Sequence, residues 1–311
     1  MNGKILLTGA SGFLGRIIST ELVKLNYQLL TLGKQKGNDI CVDLASQNFQ
    51  LPTSEKIDII IHAAGKAHSV PKTPIEIKEF FDVNFEGTKR LCDAVSQSKY
   101  PPDAFIFISS VSVYGIDSGE LIAEDHPLNG NTPYAKSKIM AEEWLQEWAV
   151  KNNIKLSILR LPLVAGSNPP GNLGAMIKGI TSGRYLSIGD ANARKSMVWA
   201  EDIANVIPQL AQKGGIYNLT DGYHPNFGEL ERNIASVLGK TPPTRIPLFL
   251  AKTLAFFGDF LGNKSPINSD KLKKITSTLT FDDTKAKALL NWRPNSVLDK
   301  LPSIIWSITA L

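Results

Sequence analysis

The chain has 311 residues, 43% of them hydrophobic, and a formal net charge of +5. That length suits one large α/β unit with a smaller attached lobe. The basic residues are scattered in short groups such as Lys34/Lys36 and Lys271/Lys273/Lys274, which excludes the basic arm of a nucleic-acid binder. Cys41, Cys92 and the four histidines lie outside metal-ligand spacing, which argues against zinc and for a reducing, cytoplasmic setting.

Met1-Asn2-Gly3-Lys4 runs straight into an apolar segment, so no secretory leader is expected. Residues 4–8 read as a first strand that ends in a glycine-rich turn. A helix is predicted over 13–25, with Leu14, Ile17, Ile18, Leu22 and Leu25 on one face. Further strands are predicted over 28–32, 57–63, 105–109 and 156–161, with helices over 77–96 and 134–151 between them. Strands alternating with helices imply α/β architecture: a Rossmann-type, doubly wound parallel sheet. It is expected to occupy residues 1–164. Composition changes after Val164, and 165–311 is expected to be mainly a substrate-binding lobe. Segments at about 196–220, including a strand over 215–220, are expected to return to the sheet. The apolar stretch 246–261 contains Lys252 and Asp259 and is too short to span a bilayer. It reads as an amphipathic helix packing on the lobe, with peripheral membrane contact as the alternative.

Thr8-Gly9-Ala10-Ser11-Gly12-Phe13-Leu14-Gly15 joins the first strand to the first helix. Such a turn lets backbone N–H groups approach a pyrophosphate, and the helix N-terminus adds partial positive charge. Gly9, Ser11, Gly12, Phe13, Leu14 and Gly15 are therefore expected to hold a dinucleotide. The second strand ends in Leu32-Gly33-Lys34-Gln35-Lys36, with no acid to bind ribose hydroxyls. That favours NADP(H), with Lys34 on the 2′-phosphate and Lys36 or Arg16 assisting; NAD(H) is the alternative. Asp43, followed by Leu44, is placed to contact the adenine.

Tyr134 and Lys138 stand four residues apart, one helical turn on one face. A neighbouring ammonium is expected to lower the phenol pKa, making Tyr134 a proton carrier near neutral pH. Lys138 also suits a nicotinamide ribose. Ser110 ends a strand, where ligands sit in open α/β sheets, and its hydroxyl suits a substrate carbonyl.

These residues carry a resemblance that runs nearly end to end. The chain resembles the extended short-chain dehydrogenase/reductases of the nucleotide-sugar epimerase/dehydratase family. It does so in the glycine loop, His62-Ala63-Ala64-Gly65, Asn84 before Gly87-Thr88, Ser109-Ser110-Val111-Ser112-Val113-Tyr114-Gly115 and Tyr134/Lys138. Arg160-Leu161-Pro162-Leu163-Val164, Tyr217-Asn218-Leu219-Thr220-Asp221-Gly222 and Leu290-Asn291-Trp292-Arg293-Pro294 continue it. The resemblance implies that Ala63, Ala64, Gly65, Lys66 and Asn84 border the cofactor and that Pro162, Leu163 and Val164 flank the nicotinamide. Ser110, Ser112, Asn172 and Leu173 would meet a UDP-sugar, with Arg194 or Lys195 as an anion clamp. It further implies a homodimer formed through the helices at 77–96 and 134–151. His62 and His68 are expected to be structural.

Two departures narrow the chemistry. Val111 and Ser112 stand where the 4,6-dehydratases carry an Asp-Glu pair. Leu163 stands where galactose-type epimerases carry Asn. The loop 169–172 and the C-terminal pattern are similar to UDP-4-keto-6-deoxy-N-acetylhexosamine 4-reductases of surface-polysaccharide synthesis. An NADPH-dependent 4-keto reductase is the expectation. A UDP-sugar 4-epimerase and a non-catalytic NADP sensor are the alternatives, and the complete Ser110/Tyr134/Lys138 set disfavours the sensor.

Overall fold

The structure, a computed structural model, describes residues 2–52, 56–67, 69–261 and 267–309. His68 lies outside them. The strands are β1 (Lys4–Thr8), β2 (Gln28–Gly33), β3 (Ile40–Cys41), β4 (Ile59–His62), β5 (Ala104–Ser110), β6 (Gly119–Ile122), β7 (Lys155–Leu161), β8 (Leu163–Ala165), β9 (Ser187–Ile188), β10 (Met197–Trp199), β11 (Gly215–Asn218), β12 (Arg245–Ile246) and β13 (Leu279–Phe281). The helices are α1 (Phe13–Lys24), α2 (Pro74–Phe81), α3 (Gly87–Ser96), α4 (Pro133–Lys151), α5 (Gly171–Thr181), α6 (Ala200–Asn205), α7 (Ile207–Lys213), α8 (Phe227–Val237), α9 (Leu248–Leu261), α10 (Ser269–Thr276), α11 (Thr284–Leu290) and α12 (Val297–Thr309).

Among the described residues, seven strands form one sheet in the order β3-β2-β1-β4-β5-β7-β11, with every pairing parallel. Both faces are covered, so its strands must be apolar at consecutive positions rather than alternate ones. Ile5 and Leu7 enter one core and Leu6 the other; Ile59 and Ile61 oppose Ile60; Ile106 opposes Phe105 and Phe107. Each such side chain contributes about 1.5–3 kcal/mol on burial. Side chains of α1, α6, α7 and α11 cover the first face, and those of α3 and α4 the second. This is the doubly wound parallel fold expected from the alternation of strands and helices.

A further core joins α5, β10, α8 and α12 through Ile177, Met197, Trp199, Ile234 and Leu301. β10 forms the seam between this core and the sheet. Met197 and Trp199 face the former, while Val198, between them, enters the core on the first sheet face. Residues beyond 196–220 also reach that face, since Ala286, Leu290 and Trp292 are part of its core.

Two elements depart from the pattern. The helix expected over 77–96 is interrupted by a π-helical turn, Asp82–Glu86, between α2 and α3. The stretch 246–261 contains α9, which packs as a helix on the lobe, but through its small side chains. Ala251 and Ala255 are buried against Leu272 of α10, while Phe249, Phe256, Phe257 and Phe260 are exposed.

Candidate active site

The sheet order reverses between β1 and β4, so the loops after their C-terminal ends diverge and leave a crevice there. The glycine loop fills its floor. Gly9 adopts φ +74°, and a Cβ on it would lie 2.6 Å from the Ala64 nitrogen. A Cβ on Gly15 would lie 2.0 Å from the Gly9 carbonyl oxygen. Only hydrogen fits at either position. Gly12 begins α1 as a cap without a side-chain hydrogen bond, and no acidic residue occupies the first turn. The first-turn N–H groups are thus left for an anion. These features fit a dinucleotide pyrophosphate.

The crevice walls are tied together by buried polar groups. The Thr8 hydroxyl pairs with His62 Nδ1 (2.7 Å) and accepts from the Ala64 N–H (3.1 Å). His62 Nε2 pairs with Thr88 (2.9 Å). Burial, reinforced by the positive charge of Lys138, drives the His62 pKa down to about 3, so the ring is neutral and structural, as expected. Asn84, buried in the π turn, accepts from the Lys66 N–H (2.7 Å) and donates to the Lys66 carbonyl (3.0 Å) and Ser137 Oγ (2.9 Å). It joins the loop after β4 to α4. Lys66 Nζ pairs with Glu79 and lies over the Phe80 ring.

β5 delivers Ser110, whose Oγ accepts from the Ser112 N–H (3.2 Å) and caps the 3-10 turn Val111–Tyr114. Ser112 Oγ is buried without a hydrogen-bond partner among the described residues. Thr132 caps α4 by accepting from the Ala135 N–H, which sets Tyr134 on the first turn and Lys138 one turn later. Tyr134 is half-buried, with its ring edge-on to Phe80. Lys138 is buried; its Nζ donates to the Ile108 carbonyl (2.8 Å) and sits 4.4 Å from the Phe107 ring centroid.

The electrostatics correct one expectation. Burial raises the Tyr134 pKa, and a hydrogen bond with Ser110 only partly offsets it; Lys138 is not among the causes. Lys138 itself is brought down to about 8 by burial, with Glu142 one turn on opposing the change. The ammonium spends its directional bond on Ile108, so the phenol stays protonated at neutral pH.

Behind these residues is a network that sequence reasoning missed. Arg160 and Glu142 form a buried ion pair (2.8 Å). Glu142 also accepts from Ser109 Oγ, next to Ser110. Arg160 donates to Tyr114 Oη (3.3 Å), which donates to Asn218 (2.8 Å). The Arg-Leu-Pro and Tyr-Asn-Leu-Thr motifs were visible, but their partnership appears only in three dimensions.

The remaining candidates separate. Lys34 is exposed beyond β2, and Arg16 donates to the Ser11 carbonyl (3.2 Å). Asp43 Oδ1 accepts from the Ala45 N–H (3.0 Å), so that carboxylate oxygen is engaged in its own turn. Leu44 and Leu173 turn their side chains into hydrophobic cores, which argues against a side-chain role for either, and the Leu44 carbonyl accepts from Arg90 (3.0 Å). Pro162, Leu163 and Val164 follow β7 and are half-buried; Asn172 is exposed at the start of α5. Arg194 donates to the His224 carbonyl (3.1 Å). Lys195 is half-buried with its pKa lowered by burial; Asp117 opposes the shift and Lys274 adds to it.

This fold and site define a nicotinamide-dinucleotide enzyme of the extended short-chain dehydrogenase/reductase type. The sequence profile described as "NAD dependent epimerase/dehydratase family" matches residues 5–220, and the chain belongs to that family. It is 30% identical over 302 residues to the N-acetyl-alpha-D-glucosaminyl-diphospho-ditrans,octacis-undecaprenol 4-epimerase of Escherichia coli O157:H7, covering 92% of this chain and 89% of the relative. It is 26% identical over 321 residues to the UDP-glucose 4-epimerase of Vibrio cholerae, covering 96% and 93%. The fold matches the UDP-glucose 4-epimerase of Thermotoga maritima with UDP-glucose (TM-score 0.76, 17% identity, 99% of both chains). It also matches the UDP-glucuronic acid 4-epimerase of Bacillus cereus in complex with NAD (TM-score 0.76, 19% identity, 99% and 97%).

Proposed function

We propose that the chain is an NADPH-dependent 4-keto reductase of a UDP-4-keto-6-deoxy-N-acetylhexosamine, serving surface-polysaccharide synthesis. The observation that carries this reading is the Tyr134 phenol beside Ser110, with no carboxylate at 111 or 112. A reduction needs an acid at C4, whereas water elimination needs the missing pair. When bound, the nicotinamide supplies the hydride. Ser110 holds and polarises the C4 carbonyl, and Tyr134 gives its proton to the C4 oxygen. Lys138 holds the nicotinamide ribose. The loop Gly9–Gly15 cradles the pyrophosphate; Lys34, beyond Gly33, meets the 2′-phosphate. Asn172 and the Leu173 main chain, with Lys195, take the sugar diphosphate. The same reading has the protein working as a homodimer in the cytoplasm.

A second reading is favoured by the relative at 30% identity: a C4 epimerase of a sugar diphosphate. It uses the same residues but keeps its cofactor through a closed cycle. The test is NADPH oxidation with UDP-4-keto-6-deoxy-N-acetylglucosamine, followed by product stereochemistry at C4. Stoichiometric NADPH consumption is the expected result. Interconversion of two C4 epimers with retained NAD and no net consumption overturns the reductase in favour of the epimerase.

A further inference from the structure

α9 is built inside out. Its buried stripe is Ala251, Ala255 and Gly258, spaced as one helix face and packed on α10. Its large side chains point to solvent: Phe249 is 67% exposed, Leu254 53%, Phe256 59%, Phe257 62% and Phe260 78%. Phe256 lies edge-on to both Phe257 and Phe260, so the rings form one continuous patch. Single exposed apolar residues are ordinary; a helix that hides alanines and displays phenylalanines is not.

The charges beside the patch indicate what covers it. Lys252 is on α9 itself, and α10 alongside carries Lys271, Lys273 and Lys274 against Asp270. The one acid of α9, Asp259, is turned to α10, accepting from the Ser269 N–H (2.8 Å) and Oγ (2.6 Å). An apolar aromatic face on a helix that carries Lys252 and packs on the lysine-rich α10 is the composition of an element that lies in the headgroup region of an anionic membrane. Fourteen residues make about 21 Å of helix, and among the described residues no helix is long and apolar enough to cross a membrane.

We propose that α9 docks the protein on the surface of an anionic lipid bilayer, with its phenylalanines in the interface and the α10 lysines over the headgroups. α10 also leads back to the candidate site, since Lys273 pairs with Asp117 (3.4 Å) and Lys274 acts electrostatically on Lys195. α10, the helix beneath the docked face, thus links it to the proposed diphosphate clamp.

The test is co-flotation of the full chain with vesicles of phosphatidylcholine alone or mixed with phosphatidylglycerol. Binding to the mixed vesicles, weakened by salt, is the expected result. The variant Phe249→Ser/Phe257→Ser/Phe260→Ser, checked by circular dichroism and thermal melting, should bind at least about tenfold less, because each ring adds partitioning in proportion to its apolar area. Lys271→Glu/Lys274→Glu should abolish the preference for phosphatidylglycerol while leaving the melting temperature in place. Three results overturn the proposal. They are protein free of both vesicle types, a phenylalanine variant that floats as well as the parent, and self-association in light scattering that the variant relieves, with no vesicle binding.

Discussion

At the residue scale, the role of Tyr134 as proton donor rests on one hydroxyl. Tyr134→Phe keeps the ring that packs edge-on to Phe80 and removes only the hydroxyl. Turnover should fall by about 10²–10⁴-fold, the usual worth of a positioned proton donor, with cofactor affinity nearly unchanged. Lys138→Ala should reduce both. Near-parental turnover in Tyr134→Phe would assign the proton to another group. His62 makes a second prediction, on stability. Its pKa is about 3 in the folded protein and ordinary when unfolded. The unfolded chain therefore binds the extra proton between those values, and His62's contribution is full above the unfolded pKa and lost as pH falls toward 3. The slope is about 1.4 kcal/mol per pH unit. Urea midpoints should drop more steeply between pH 6 and pH 4, as set in the titration, for the parent than for His62→Gln; parallel slopes would refute the assignment.

At the element scale, the glycine loop and the π turn are rigid parts with different tolerances. A Cβ at Gly15 would meet the Gly9 carbonyl oxygen, a backbone atom with nowhere to go. Gly15→Ala should displace the loop and abolish dinucleotide binding by calorimetry; unchanged affinity would mean the loop is not the cradle. In the π turn, Asn84→Ala strands the Lys66 N–H and carbonyl and leaves Ser137 one partner fewer. A fully buried group left unsatisfied costs about 1–3 kcal/mol; these Lys66 groups are part-buried, so a smaller but measurable fall in the unfolding midpoint is expected. Leu44→Ala, by contrast, tests packing alone. The predicted helix at 77–96 was legible from its apolar spacing, but the π turn was not. Asn84 takes its place there because its amide must reach both Lys66 and Ser137, which are distant in sequence.

At the scale of the whole molecule, the site depends on elements from both halves of the chain. Arg160 on β7 couples Glu142 of α4 to Tyr114 and, through it, to Asn218 of β11. Removing one member of this buried pair is expected to be costly, since the survivor is left charged and unpaired. Arg160→Met should lower the melting temperature by more than Arg160→Met/Glu142→Met does; the reverse order would show that the pair is not coupled. The homodimer belongs to this scale as well. Light scattering at micromolar concentration should give twice the chain mass, and a monomer would remove α2–α4 as an interface.

Much could be read from the sequence alone, because parallel sheets buried on both faces need unbroken apolar runs and phosphate turns need glycine. The strand and helix alternation, the position of the glycine loop, and the one-turn spacing of Tyr134 and Lys138 follow from local rules that act over a few residues. What the sequence could not show is where side chains go when distant segments meet. Lys138 bonds Ile108 instead of tuning the phenol; Leu173 faces a core; Arg194 bonds the His224 carbonyl. α9 has the composition of a packed helix, yet it turns alanines inward and phenylalanines outward. Periodicity marks an apolar helix, but only the neighbouring surface, here α10 with room for small side chains, decides which of its faces is buried.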